Sequence, residues 1–185
     1  MSTFRFLMLL LLPCSTVGAG EPPLALLQKP GHIAIARHAL APGMGDPADF
    51  ELGDCRTQRN LSDEGRAQAT RMGDAFRQAG INQAAVYTSQ WCRCRDTAIL
   101  MELGKVTELP SLNSFFQEPN KRGPQMKALE AWLEDRPKNK PVVLITHQVV
   151  ITALTGVFPS SGEILILHPN EEGGWEVAAR IETRI

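Results

Sequence analysis

The stretch Ile33-Ala34-Ile35-Ala36-Arg37-His38-Ala39 runs apolar for its first four residues and then breaks into an arginine and a histidine. A buried strand of a parallel sheet reads as such a continuous apolar run, and in these sheets the ligand crevice lies beyond the carboxyl ends of the strands. Arg37 and His38 therefore stand where a site would be. Alone, the pair has a bland reading, a solvated charge beside a satisfied core imidazole. It has company: Pro141-Val142-Val143-Leu144-Ile145-Thr146-His147 repeats the pattern of an apolar strand followed by a histidine. Between the two, Val86-Tyr87-Thr88-Ser89 leads through Trp91 and Cys92 into Arg93, at what reads as a helix start that continues through Thr97 and Ala98.

The rest of the chain alternates in the same way. Ala39 to Asp54, with Gly43, Gly45 and Gly53 and prolines at 42 and 47, is a long loop leaving the first strand, where binding residues are commonly carried. Ser62 is placed to cap a helix with acids in its first turn, an apolar stripe of Leu61, Ala69, Met72 and Phe76, and a stop at Gly80. A strand at Ala84–Tyr87 precedes the Arg93 helix, which is read as running to Gly104, and a short strand covers Lys105–Leu109. After the irregular Pro110–Gly123 come a helix carrying Met126, Leu129, Trp132 and Leu133, the Val142–Ile145 strand, a helix at Val149–Leu154, and two closing strands at Glu163–Leu167 and Trp175–Ile181. Strand and helix in alternation imply a layered α/β domain with a mostly parallel sheet.

Of the 185 residues, the first twenty stand apart: Arg5, the apolar run Phe6–Leu12, then Val17-Gly18-Ala19 have the layout of a signal peptide, too short to span a membrane. Pro13 before Cys14 departs from the small residue that lipidation needs. The expectation is therefore a signal peptide over 1–20, one domain over 21–185, and a periplasmic or secreted protein with no stable membrane span. Without Arg5, 18 basic groups face 20 acidic ones, which argues against nucleic-acid binding. Cys55, Cys92 and Cys94 then remain in an oxidising setting, enough for one disulfide and one thiol. Cys-x-Cys is not the usual zinc-ligand spacing, and no metal or other cofactor is expected.

Two arginines and two histidines at strand ends and a helix start suit a tetrahedral dianion. Guanidinium groups pair with phosphate oxygens and do not titrate near neutrality, and a helix N-terminus adds donors. A neutral histidine can attack phosphorus while a second, protonated one donates to oxygens where charge builds.

These blocks resemble, in their order, those of the histidine phosphatase superfamily, the phosphoglycerate mutase-like proteins. The blocks are Arg37-His38, Leu61-Ser62-x-x-Gly65-x-x-Gln68-Ala69, Ser89-x-x-x-Arg93-x-x-x-Thr97-Ala98 and Thr146-His147. The resemblance implies a three-layer α/β/α fold, a phosphorylated nucleophile at His38, Arg37 and Arg93 gripping the phosphoryl group, His147 completing the pocket, and no metal. It implies a phosphatase, with a mutase or phosphotransferase of the same fold as one alternative and a non-catalytic anion-binding module as a rival of another class; export suggests a phosphorylated small molecule or glycan as substrate. Ala39 stands where the family has glycine. Where mutase-like members carry a glutamate that protonates the leaving oxygen, this chain has Asn113 and Ser114. Glu118 is the nearest substitute, with Asp46, Asp49, Asp54 and Glu163 further candidates, and Gln58 and Arg59 could touch substrate. Cys55 is expected to bond Cys92 or Cys94, fixing its loop against the Arg93 helix. No oligomeric state is implied.

Overall fold

In the computed structural model, which describes residues 22–184, six strands form one sheet in the order β3-β2-β4-β1-β5-β6. The expected signal segment lies outside the described residues. The strands are β1 (Ile33–Arg37), β2 (Ala85–Thr88), β3 (Val106–Glu108), β4 (Val142–Thr146), β5 (Ile164–Pro169) and β6 (Trp175–Ile181). β1, β2, β3 and β4 run parallel, and β5 and β6 add an antiparallel edge.

Alternation along β1 sends Ala34 and Ala36 into one core and Ile33 and Ile35 into the other. Two helices, α1 (Asp63–Gln78) and α2 (Cys92–Leu100), cover the alanine face through Met72, Phe76 and Ala98. The other pair, α3 (Arg122–Asp135) and α4 (Gln148–Thr155), covers the isoleucine face through Leu129, Leu133 and Ile151. This is the three-layer arrangement. α2 ends at Leu100, earlier than the sequence suggests, because the chain turns through Glu102 at φ 53°.

The chain leaves β1 toward α1 on one face and leaves β4 directly into α4 on the other, so the connections diverge and open a crevice. The register fixes what lies in it. Arg37 pairs with Thr146, and His38 N–H donates to the Thr146 carbonyl at 2.9 Å, so His38 and His147 leave the sheet side by side. Ser89 N–H donates to Ile145 O at 3.0 Å and brings the end of β2 alongside.

The remaining motif residues hold this end in place. Ala39 N–H donates to Thr97 Oγ1 at 3.1 Å and Leu40 N–H to Gln68 Oε1 at 2.9 Å. Ser62 caps α1 by accepting from Gly65 N–H at 3.1 Å. Gly65 packs so closely on the chain after His38 that a Cβ there would fall 2.0 Å from Leu40 O. Gly65→Ala is therefore expected to cost about 1–3 kcal/mol of stability and to lower activity by moving the His38–Leu40 segment. Thermal melts check this against Gly123→Ala, whose Cβ meets nothing.

Candidate active site

At the carboxyl ends of β1, β2 and β4 lies a cleft of about 270 Å³. Arg37, His38, Arg59, Arg93 and His147, all singled out in the sequence, line it. Three arginines and Asp46 are its charged side chains, a net charge of +2 against neutral histidines.

The tautomer of His38 follows from its partner. Its Nδ1 lies 2.8 Å from Ala39 O, an acceptor only, so Nδ1 carries the hydrogen. Burial first, then the Arg93 charge, hold the imidazole well below its ordinary range. His38 is thus neutral, with its lone pair on Nε2.

His147 is fixed by a directional chain. Arg93 Nη2 lies 3.5 Å from its Nδ1 and can only donate, which leaves the hydrogen on Nε2, donated to Ser89 Oγ at 2.8 Å. Ser89 Oγ donates in turn to Asn113 Oδ1 at 3.2 Å. Burial, then Arg93 and His38, press His147 down as well, which favours the neutral imidazole. The reason is that a buried cluster of three guanidinium groups opposes a further positive charge.

Arg93, on the first turn of α2, is almost wholly enclosed. Its Nη1 and Nη2 donate to Asp46 Oδ1 and Oδ2 at 2.7 and 3.2 Å, with the two side chains 3% and 4% exposed. Trp91 Nε1 donates to Asp46 Oδ2 at 3.0 Å and Arg59 N–H to Oδ1 at 3.2 Å. Burial raises the Asp46 pKa, but the Arg93 hydrogen bond and charge outweigh it and keep the carboxylate ionised. Arg59 donates to the carbonyls of Gly45 (2.8 Å) and Ala41, so it shapes the loop that carries Asp46.

Two donors remain unmatched. Arg37 Nε and Arg93 Nε are buried without a hydrogen-bond partner, while Arg37 Nη1 is satisfied by Pro159 O at 3.0 Å. Buried charged donors left unpaired are costly.

Two expected residues stand elsewhere. Glu118 lines a neighbouring hollow beside Phe50 and Trp91, is half-exposed, and pairs with Lys121 at 2.7 Å. It precedes a short 3-10 turn at Pro119–Lys121 and does not line the cleft that holds His38. Gln58 is buried as a brace: its Oε1 accepts from Cys92 N–H at 3.0 Å and its Nε2 donates to Glu51 O at 3.2 Å. That bond also occupies the first amide of α2, which the sequence suggests for the anion. Of the other acids, Asp54 pairs with Arg56, Glu163 pairs with Arg180, and Asp49 is exposed. Cys55 bonds Cys92, with their Cα atoms 5.7 Å apart, and fastens the loop to α2. Cys94 faces inward, its thiol 3.5 Å from His147 Nε2 and pushed up to about 12 by burial.

Among the described residues no group of three or more His, Cys, Asp or Glu is placed to hold a metal ion, and no helix is long and apolar enough to cross a membrane.

The model of the histidine phosphatase superfamily (branch 1) matches residues 35–115, from β1 through Arg93 to Phe115. Over these residues the chain is similar to the histidine phosphatase superfamily, and the geometry above agrees with that likeness. Its solved structural relatives share the fold at low identity. The protein histidine phosphatase SixA in complex with tungstate is 17% identical at a TM-score of 0.56, over 82% of this chain and 97% of that one. A structure described as mycobacterial hydrolase 1 is 15% identical at 0.62, over 84% and 100%. A mycobacterial glucosyl-3-phosphoglycerate phosphatase in complex with VO3 is 14% identical at 0.55, over 80% and 97%. No functionally curated protein matches the chain in sequence.

The depressed histidines give a pH prediction. His38 is already deprotonated below its ordinary range, so kcat/KM, corrected for the substrate's dianion fraction, is expected to stay level as pH falls through about 6.5. An enzyme group titrating at or above that value in the free-enzyme profile would contradict the assignment. Both groups bind protons less readily folded than unfolded, so they contribute stability above about pH 6.5 that is lost as pH falls below it.

Proposed function

We propose that this protein is a phosphatase that hydrolyses phosphomonoesters through a phosphohistidine intermediate on His38. The observation that carries this reading is the His38 Nδ1–Ala39 bond. It leaves a neutral Nε2 lone pair in a cleft whose net charge matches a dianion. A pure anion-binding module would gain nothing from holding a nucleophile in that tautomer. The phosphatase descriptions of two structural relatives, and the oxyanions bound in both, support the same reading.

In the reaction, Nε2 attacks phosphorus, the ester P–O bond breaks, and the leaving oxygen departs with the bonding pair. Arg37 and Arg93 carry the charge spread over the equatorial oxygens. The arriving dianion favours a proton on His147 Nδ1, which then donates to a phosphoryl oxygen while Nε2 stays bonded to Ser89. Water next attacks the phosphohistidine and releases inorganic phosphate, restoring His38.

A brief incubation with an aryl phosphate labelled on phosphorus should leave an acid-labile, base-stable label that maps to His38. Turnover without such a label, or turnover lost on metal chelation, would overturn the proposal.

Export belongs to the same reading. The Cys55–Cys92 bridge supports it, because such bonds persist in oxidising compartments. Mass spectrometry of the periplasmic or secreted protein should find a chain starting near Gly20 or Glu21, and retention of Met1 would exclude it.

A further inference from the structure

The cleft above its charged floor is apolar. Five large hydrophobic side chains are exposed among the described residues, and three of them line this one cleft: Met44 at 85%, Phe116 at 51% and Phe158 at 69%. Single exposed apolar residues need no explanation, but convergence of three does. They come from three separate connections, after β1, after β3 and after α4, and Val149 at the start of α4 lies with them. The other rim groups are neutral, namely Ser114, Gln117 and Gln148. None of these three carries a charge that would recognise a second anionic group.

The cleft also offers no carboxyl group to protonate the leaving oxygen, and the proton that an arriving dianion favours on His147 Nδ1 is given to a phosphoryl oxygen. Asp46 is its one carboxylate, and four hydrogen bonds fill both its oxygens, two from Arg93, one from Trp91 and one from the Arg59 amide. Each oxygen accepts two donors, so the group is locked as an anion and a proton there would have to displace one of them. Glu118 lies in the neighbouring hollow. A leaving oxygen must therefore depart unprotonated, which a phenoxide does far more readily than an alkoxide, since a phenol is acidic near pH 10 and an alcohol only near the value for water, about 16.

From these two features together we infer that the substrate is an aryl phosphate monoester of a small molecule, its phosphate on the arginine floor and its ring against Met44, Phe116 and Phe158. The inference rests on the phosphatase reading and narrows it. His38 Nε2 takes the phosphoryl group, the aryl O–P bond breaks with its electron pair going to oxygen, and the phenoxide leaves to be protonated by solvent. Export places the enzyme where it would act on aryl phosphates outside the cytoplasm, and the reaction that supplies them is a phosphorylation of a phenolic hydroxyl.

The test compares kcat/KM for phenyl, benzyl and glycerol phosphate. Benzyl phosphate keeps the ring but has an alkoxide leaving group, so the series separates ring contact from leaving-group chemistry. Phenyl phosphate should exceed benzyl by on the order of 10²-fold or more, the contribution an acid would have made. Benzyl should exceed glycerol phosphate by about tenfold, a ring's worth of apolar contact. Phe116→Ala and Phe158→Ala should each lower kcat/KM for phenyl phosphate by about tenfold, mainly through KM. Benzyl turning over as fast as phenyl would reveal a proton donor, and glycerol matching benzyl would remove the ring contact. Either result overturns the inference. If His38 is labelled by these substrates in the wrong order of rates, the aryl inference fails and the phosphatase reading stands. If none labels it, the phosphatase reading itself fails.

Discussion

His38→Ala is expected to abolish turnover, with kcat falling on the order of 10⁴-fold or more, because the nucleophile of a covalent mechanism has no substitute within the cleft. The neighbouring imidazole does not provide one. Its ring centre lies 5.5 Å from that of His38, and its Nε2 hydrogen is committed to Ser89. The same variant should still bind inorganic phosphate, since Arg37, Arg59 and Arg93 still line the cleft. Retained phosphate affinity with lost turnover and lost label separates the nucleophile from the anion site. A variant that kept full activity would show that His38 carries no covalent step and would overturn the phosphohistidine mechanism. Loss of phosphate binding together with activity would instead indicate that the β1–α1 connection has collapsed, and thermal melts tell that case apart.

The elements that place these groups were legible where the sequence is repetitive or abrupt. β1 and β4 announce themselves as apolar runs cut off by a histidine, because a strand covered on both faces has no polar positions until it reaches the crevice. Gly65, Gln68 and Thr97 were legible as a pattern, and the structure supplies their reason: all three bear on the two residues after His38. The choice between Cys92 and Cys94 was not legible, since residues two apart at a helix start face different ways. Cys92 turns to the loop and Cys94 to β4. Glu118 illustrates a different limit. Nearness along the chain to the end of β3 suggested reach, but a turn at Pro119 and the Lys121 ion pair decide where the carboxylate goes. Gln58 shows that a polar loop residue near a site can serve a helix end instead of a substrate. The apolar rim leaves no sequence signal at all, because Met44, Phe116 and Phe158 belong to loops without periodicity.

Asp46 was visible only as one acid among several, 47 residues from Arg93, and its role as a clamp on that arginine appears only in three dimensions. Asp46→Asn removes the counter-charge of a guanidinium that is 3% exposed, and breaking a buried ion pair from one side costs about 3–5 kcal/mol. For a chain of this length that corresponds to a fall in Tm on the order of 10 °C. The ligand response should move the opposite way. With the carboxylate gone, the cleft's net charge rises by one and the Arg93 Nη edge is left to whatever anion enters, so phosphate should bind about tenfold more tightly and raise Tm by more than it does in the unaltered protein. Catalysis should suffer nonetheless. An arginine that grips the product harder and is no longer aimed by Trp91 and Arg59 through Asp46 favours the bound phosphate over the transition state, and kcat falls while KM does too. Calorimetric titration with phosphate alongside thermal melts tests both arms. Unchanged stability together with unchanged phosphate affinity would show that Asp46 neither holds Arg93 in solution nor is locked there as an anion.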